Sequence, residues 1–149
     1  IAYTLNKPLI GLSTLSLLAN AASKSVVFRE SNDNLQIFSM IDARRLEVFG
    51  AIYNKHLSTI LPEQAIVLSA NYLDQLLKIA PLLCIGTGVA KTKALLKHPN
   101  LFFEENSYDL ADCMELANKK LCANEFENIA YSSPAYLKDF YQKPAGSTE

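Results

Sequence analysis

The pattern of apolar and polar positions separates strand-like stretches from stretches with helical spacing. Three stretches, 35–41, 47–53 and 64–69, are typical of strands, and a shorter strand-like piece lies at 26–28. The segment DARRL between the first two has about the length of a hairpin connection. The three longer strands therefore predict an antiparallel meander.

Helical and strand patterns alternate after the meander. Apolar residues recur at helical spacing from 72 to 80, followed by a buried strand in LLCIGTG, a helix in AKTKALLKH and a strand in NLFFEE. The segment YDLADCMELANKKLCA predicts the longest helix, with Asp109 near its start and two lysines near its end, as the helix dipole favours. The order β, β, β, α, β, α, β, α is the outline of an RNase-H-like domain, the building block of actin-like folds. We therefore expect an α/β fold in which a three-strand antiparallel meander precedes αβαβα.

The first 24 residues precede this unit and contain one helix of their own. A short apolar run at 8–12 leads into a helix that Ser13 or Thr14 can cap. Apolar positions of this helix crowd one side, namely Leu15, Leu17, Leu18, Ala21 and Ala22.

Composition narrows the classes of function. The chain has 149 residues, enough for one domain with a sizeable core, and a net charge of −1, so it lacks a whole-chain basic footprint for nucleic acid. No apolar run approaches the ~20 residues of a membrane span, and the start does not resemble a signal peptide. Three cysteines in apolar surroundings predict reduced, buried thiols, and hence a cytoplasmic protein.

Neither histidines nor cysteines form a recognisable site. His56 and His98 lack a second ligand at zinc-like spacing, so we expect no metal. No cysteine has a nearby histidine or a basic setting that would make it a nucleophile, and Cys113 and Cys122 are interpreted as packing residues. We expect no catalytic residues and no cofactor.

A glycine turn is the weak candidate for nucleotide binding. IGTGVAKTKALL reads as strand, turn and helix, but it matches neither GxGxxG nor the P-loop pattern. The role that we favour for Gly86 and Gly88 is to let the chain leave a sheet sharply.

Charged residues at the predicted hairpin have two readings. Asp42 and Glu47 flank Arg44 and Arg45, so salt pairing across the turn is the simpler one. Two arginines at a hairpin tip can also reach carboxylates or a phosphate of a partner.

Three segments resemble one protein family and occur in that family's order. They are KPLIGLSTLSLLA, MIDARRLEVFGAIY and PAYLKDF, of which the second and third are the more specific. The sequence is similar to the bacterial TsaB (YeaZ) group, and the resemblance covers nearly the whole chain. It makes Asp42, Arg44, Arg45, Glu47, Tyr136 and Lys138 candidates for family-motif or partner contacts.

The resemblance implies a non-catalytic subunit of tRNA modification. Such a subunit supports threonylcarbamoyl transfer to N6 of adenosine 37 by pairing with the TsaD transferase and the TsaE ATPase, and it meets tRNA only through the complex. The family normally opens with an LAIDTS-type strand and a GPGSFTGLRIG helix, which this sequence lacks. We therefore expect residues 1–24 to be the tail of an N-terminal lobe with a linking helix, and 25–149 to be the C-terminal RNase-H-like lobe with its tail.

Two alternatives stay open at this stage. One is an enzyme, either an actin-like nucleotide-binding ATPase or a peptidase of the glycoprotease type. The other is a structural domain that forms a homodimer, for which the apolar stretch at 8–18 is the expected contact.

Overall fold

A computed structural model describes residues 1–134, and its elements follow the predicted order. The helices are α1 (Thr14–Ser23), α2 (Val26–Glu30), α3 (Ala70–Ile79), α4 (Val89–Leu95) and α5 (Leu110–Cys122). The strands are β1 (Gln36–Asp42), β2 (Glu47–Tyr53), β3 (Thr59–Val67), β4 (Leu82–Ile85) and β5 (Leu101–Glu104).

The five strands form one sheet in the order β3-β2-β1-β4-β5. β1 pairs antiparallel with β2, and β2 with β3, which confirms the predicted meander. β4 pairs parallel with β1, and β5 with β4, as the intervening helices require. The carboxyl ends of β1, β4 and β5 therefore meet at one edge of the sheet.

Successive strand residues point to opposite sides of the sheet, so each face carries apolar side chains. Both faces are covered. On one face Phe38 and Met40 of β1 pack with Leu73 and Leu77 of α3 and with Val89 of α4. On the other face lies a second cluster, to which α1, the sheet and Phe28 contribute. Its buried members include Leu15, Leu18, Ala22, Phe28, Ile37, Tyr53, Leu83 and Ile85.

The strand predicted at 26–28 is wrong, because these residues begin helix α2. The Ser25 hydroxyl accepts the backbone N–H of Phe28, which caps the helix, and Arg29 N–H reaches the Ser25 carbonyl. Only Phe28 of this helix is buried. Two adjacent valines suggested a strand, but the Ser25 cap and the burial of Phe28 favour a short helix of five residues.

Strand β3 begins five residues before the predicted start at 64, at Thr59. Pro62, which cannot donate a ladder hydrogen bond, lies inside this strand. The structure places Pro62 at a shift in register, since Gly50 pairs with Gln64 whereas Ile52 pairs with Leu61. An irregular edge strand tolerates proline at such a position.

Helix α1 is capped by Ser13, whose hydroxyl accepts the N–H groups of Leu15 and Ser16. The helix buries Leu15, Leu17 and Leu18 within the chain. The predicted dimer contact at 8–18 is therefore wrong for its helical half, because those leucines are already buried within the chain.

A polar cluster joins α1 to α5. The buried Asp112 closes a capping box with Asp109 and accepts hydrogen bonds from Asn20 at 2.9 Å and Lys24 at 2.6 Å. Lys24 also pairs with Glu115 at 2.9 Å. Hydrogen bonds from Lys119 and then from Lys24 lower the pKa of Glu115 to about 2. Asp112 is the one buried residue of α5, so polar contacts are a main part of what holds this helix to α1.

Candidate functional site: a hairpin supported by the glycine turn

The segment between β1 and β2 is a tight hairpin with its own hydrogen bonds. Ala43 N–H donates to the Glu47 carbonyl at 3.1 Å, and Glu47 N–H donates to the Arg44 carbonyl at 3.2 Å. Arg45 has a φ of 58°, in the left-handed region that non-glycine residues seldom adopt. The turn geometry therefore fixes the direction in which residues 44–46 project.

Lys91 of α4 holds this hairpin from below. Its ammonium donates to the carbonyl of Ala43 at 2.6 Å and to that of Glu47 at 2.8 Å, and it forms an ion pair with Asp42. The lysine side chain is only 17% exposed. One lysine ammonium thus ties both sides of the turn to the helix that follows β4.

The predicted salt pairing across the turn is wrong for Asp42, because its ion partner is Lys91 and not Arg44 or Arg45. Within residues 1–134 neither arginine forms an ion pair, and both are exposed. Leu46 beside them is 50% exposed. The tip presents two guanidinium groups and one apolar side chain to solvent on a fixed backbone.

The glycine turn after β4 is a second support of the hairpin. Thr87 Oγ1 accepts the backbone N–H of Asp42 at 2.8 Å. Gly86 has a φ of +103°, and a Cβ there would overlap the Met40 carbonyl oxygen. At Gly88 a Cβ would lie 2.8 Å from Met40 Cβ and 2.9 Å from Val48 Cγ1. Both glycines therefore let the turn approach β1 and β2 closely.

A cavity of about 550 Å³ opens beside this turn, at the carboxyl ends of β1, β4 and β5. This edge of a parallel sheet is where open α/β folds bind ligands. Lys93 at its rim pairs with Glu105 at 2.8 Å and lies 5.2 Å from the ring centre of Phe103. The lining residues are Thr14, Leu18, Ile41, Gly86, Thr87, Val89, Ala90, Lys93, Glu104, Glu105, Asn106, Ser107 and Tyr108.

The turn is poorly suited to hold a phosphate. Such sites need free backbone N–H groups, but Val89 N–H donates to the Gly86 carbonyl at 3.2 Å and Gly88 N–H to the Met40 carbonyl at 3.4 Å. Helix α4 has only seven residues. Two carboxylates, Glu104 and Glu105, also line the cavity and oppose an anion.

Other titratable residues are dispersed or occupied. Over the described part of the chain, no three His, Cys, Asp or Glu side chains are grouped so that they could hold a metal. His98 Nδ1 accepts the N–H of Asn100 at 3.1 Å. Burial raises the pKa of the Cys84 thiol, as expected for an inert packing residue. Cys122 is exposed, so its assignment as a buried packing residue is wrong.

Ser13 and Glu63 are in contact close to the buried Tyr53, so these three side chains need to be considered as a possible site. The Ser13 hydroxyl donates to the Glu63 carboxylate while it caps α1. Burial, and secondarily the charge of Glu63, raise the pKa of Tyr53 to about 12. A neutral tyrosine and a capping serine are structural groups, and neither is activated as a nucleophile.

Sequence reasoning identified the hairpin and the glycine turn but missed Lys91 and Thr87, which join them. Lys91 lies more than forty residues from the hairpin in sequence, and no spacing rule links it to the turn. Tyr136 and Lys138 lie outside the described residues, as does the rest of the segment PAYLKDF after Pro134.

Two solved structures share this architecture. One, described as "an uncharacterized protein with similarity to peptidase YEAZ from Pseudomonas aeruginosa", aligns with 92% of this chain at 21% identity and a TM-score of 0.62. The other, YeaZ from Pseudomonas aeruginosa, aligns with 91% of it at 22% identity and a TM-score of 0.61. The chain has the fold of the YeaZ structures. This confirms the predicted α/β architecture of the actin-like, RNase-H-like type.

The chain spans 62% of the length of each of these structures. No family model matches the sequence, and no curated protein matches it. The similarity to YeaZ agrees with the family that the IDAR and YLKD segments resemble. Among residues 1–134, no helix is both long and apolar enough to cross a bilayer.

Proposed function

We propose that the chain acts as a non-catalytic subunit that supports threonylcarbamoyl transfer to N6 of adenosine 37 in tRNA. It would do so in the cytoplasm by forming a complex with a TsaD-type transferase and a TsaE-type ATPase. Two independent lines support this proposal. The motif segments resemble the TsaB (YeaZ) family, and the fold matches YeaZ structures over 91–92% of the chain.

The observation that carries the proposal is the rigid hairpin at the most family-like segment. Arginine is enriched at protein interfaces, and its planar guanidinium can bind a carboxylate through two hydrogen bonds. Arg44 and Arg45 project from a turn that Lys91 and Thr87 hold in place. Because the backbone is already ordered, binding there costs little conformational entropy. We therefore assign the tip at 44–46 to contact with an acidic surface of the transferase.

The nucleotide-binding alternative has one feature in its favour, the cavity beside the glycine turn. The internal hydrogen bonds of Gly88 and Val89, and the carboxylates of Glu104 and Glu105, disfavour a phosphate there. A ligand that binds only the folded state raises the melting temperature. We expect no rise on addition of ATP with magnesium.

Binding and activity assays test the proposal together. The chain is titrated against the transferase, and modified adenosine is measured in reactions that contain transferase, ATPase, tRNA and threonylcarbamoyl-adenylate. We expect the double variant Arg44→Glu/Arg45→Glu to weaken transferase binding by about tenfold or more, as the loss of an interface hot spot does. Its melting temperature should be unchanged, because neither side chain has an ion partner in the described chain.

Arg29→Glu is the matched control, since Arg29 is an exposed arginine on α2. It should bind like the parent chain. If the parent chain neither binds the transferase nor stimulates the modification, the subunit role is wrong. If it binds and the double variant binds equally well, the role stands and the contact lies elsewhere on the molecule.

A further inference from the structure

Helix α1 covers only part of its face of the sheet. Tyr53, Ala51 and Phe49 alternate along β2 and therefore lie on this one face. Tyr53 and Ala51 are buried in the cluster to which α1 contributes, whereas Phe49, nearer the hairpin, is only half-buried. The end of this face next to the hairpin is therefore left partly open by residues 1–134.

Four apolar side chains occupy the open end. Ile41 of β1 pairs with Phe49, and Phe49 pairs with Ala65 of β3. Residues directly opposite each other on neighbouring strands point to the same side, so these three lie next to one another. Val67 follows on the same side of β3, two residues after Ala65, and is 65% exposed. We name Ile41, Phe49, Ala65 and Val67 the hairpin-end patch.

The hairpin-end patch lies beside the two arginines of the tip. Leu68 N–H donates to the Leu46 carbonyl at 2.8 Å, which fixes the tip against the end of β3, one residue from Val67. Arg44 and Arg45, which form no ion pair within residues 1–134, directly precede Leu46. An apolar surface is thus bordered on one side by positive charge.

A protein that binds the tip must also contact the surface around it, because a stable interface takes roughly 20–30 residues from each partner. On the other face of the sheet, the hairpin end offers Asp42 and Lys91, whose charges already pair with each other. The hairpin-end patch is the adjoining apolar surface, and interfaces place an apolar centre inside a polar rim. The patch is therefore suited to be the centre of the contact, with the arginines at its rim.

We propose that the hairpin-end patch and the tip form one docking surface for the transferase, which contributes apolar side chains bordered by carboxylates. This inference rests on the proposed pairing with the transferase and adds which surface and which chemistry the pairing uses. The carboxylates follow from charge complementarity. Glu47 lies opposite Val67 and offsets only one of the two arginines, so one positive charge is in excess at the border.

Titration of the 149-residue chain with the transferase tests this at low and at high salt. We expect Val67→Thr to weaken binding by about fivefold or more, because a hydroxyl replaces a methyl group in the apolar centre. The loss should be the same at both salt concentrations, since salt screens charges. Arg44→Gln/Arg45→Gln should instead weaken binding at low salt and reduce its dependence on salt.

Ile60→Thr is the matched control, because Ile60 is 53% exposed on the same strand but near its other end. It should bind like the parent chain, and thermal melts should be similar for all four proteins. The inference is overturned if Val67→Thr binds like the parent, or if Ile60→Thr weakens binding equally. It is also overturned if Val67→Thr melts well below Ile60→Thr, which would mean that the chain itself covers Val67.

The parent chain separates this inference from the subunit role. If the parent binds the transferase and Val67→Thr binds equally well, only the docking surface is wrong. If the parent does not bind the transferase, the subunit role and the docking surface are both wrong.

Discussion

Replacing Lys91 by methionine should loosen the hairpin and destabilise the fold. Methionine keeps most of the aliphatic stem but removes the ammonium that binds Ala43, Glu47 and Asp42. A hydrogen bond from a charged donor contributes about 1.5–3 kcal/mol, and two bonds from one donor do not add fully. Because the side chain is only 17% exposed, water replaces little of what is lost. We expect a loss of about 2–4 kcal/mol in the free energy of unfolding.

Urea unfolding followed by circular dichroism measures this loss directly. For a chain of this length, each kcal/mol lowers the melting temperature by about 3 °C, so the variant should melt about 6–12 °C lower. The urea slope should stay unchanged, since the variant alters stability and not the surface that unfolding exposes.

Lys93→Met is the matched control on the same helix. Lys93 is 41% exposed and its partner Glu105 is 83% exposed, so this ion pair contributes about 0–1 kcal/mol. The interpretation that Lys91 holds the hairpin in place is refuted if Lys91→Met destabilises the chain by no more than Lys93→Met does.

Two further predictions concern the polar cluster and the glycine turn. The folded-state pKa of Glu115 is lowered to about 2, so its stabilising contribution is present above its ordinary pKa and is lost as pH falls toward 2. Urea midpoints between pH 5 and pH 2.5 should therefore fall, and fall less in Lys24→Met, which lacks one partner of the carboxylate. Gly86→Ala should lose more than 2 kcal/mol in urea unfolding, because its φ is positive and its Cβ meets the Met40 carbonyl. Gly11→Ala is the control, since its Cβ would meet only a flexible glutamate side chain, and equal losses in the two variants would contradict the argument.

The elements that sequence predicted best are those whose cause is local. β2 lies at Glu47–Tyr53, as its apolar pattern predicted, and Asp109 caps α5 through its own side chain. The error at β3 has a non-local cause, because the strand extends past Pro62 where its pairing with β2 shifts in register. The error at 26–28 is local, because the Ser25 cap and the burial of Phe28 favour a helix there.

The candidate site was predictable only as two separate pieces. The hairpin at 42–47 and the glycine turn at 86–88 each have a sequence pattern, but their connection depends on Lys91 and Thr87, which contact the hairpin across more than forty residues. A lysine in a short amphipathic helix is ordinarily a solvated residue. Only the parallel pairing of β1 with β4 brings this lysine beneath the turn.

The contact between the glycine turn and the hairpin also changes the interpretation of Gly86 and Gly88. A strand, glycine turn and helix suggest a phosphate site when they are read alone, because the same residues allow a ligand to approach the backbone. Here the close neighbour is the chain itself, since Gly86 and Gly88 lie against Met40 and Val48. A turn that must touch β1 and β2 needs both glycines whether or not any nucleotide binds. The glycines are therefore no evidence for a nucleotide, and the test is whether the N–H groups of the turn are free. Those of Gly88 and Val89 already have acceptors within the chain, which makes the turn a support for the hairpin.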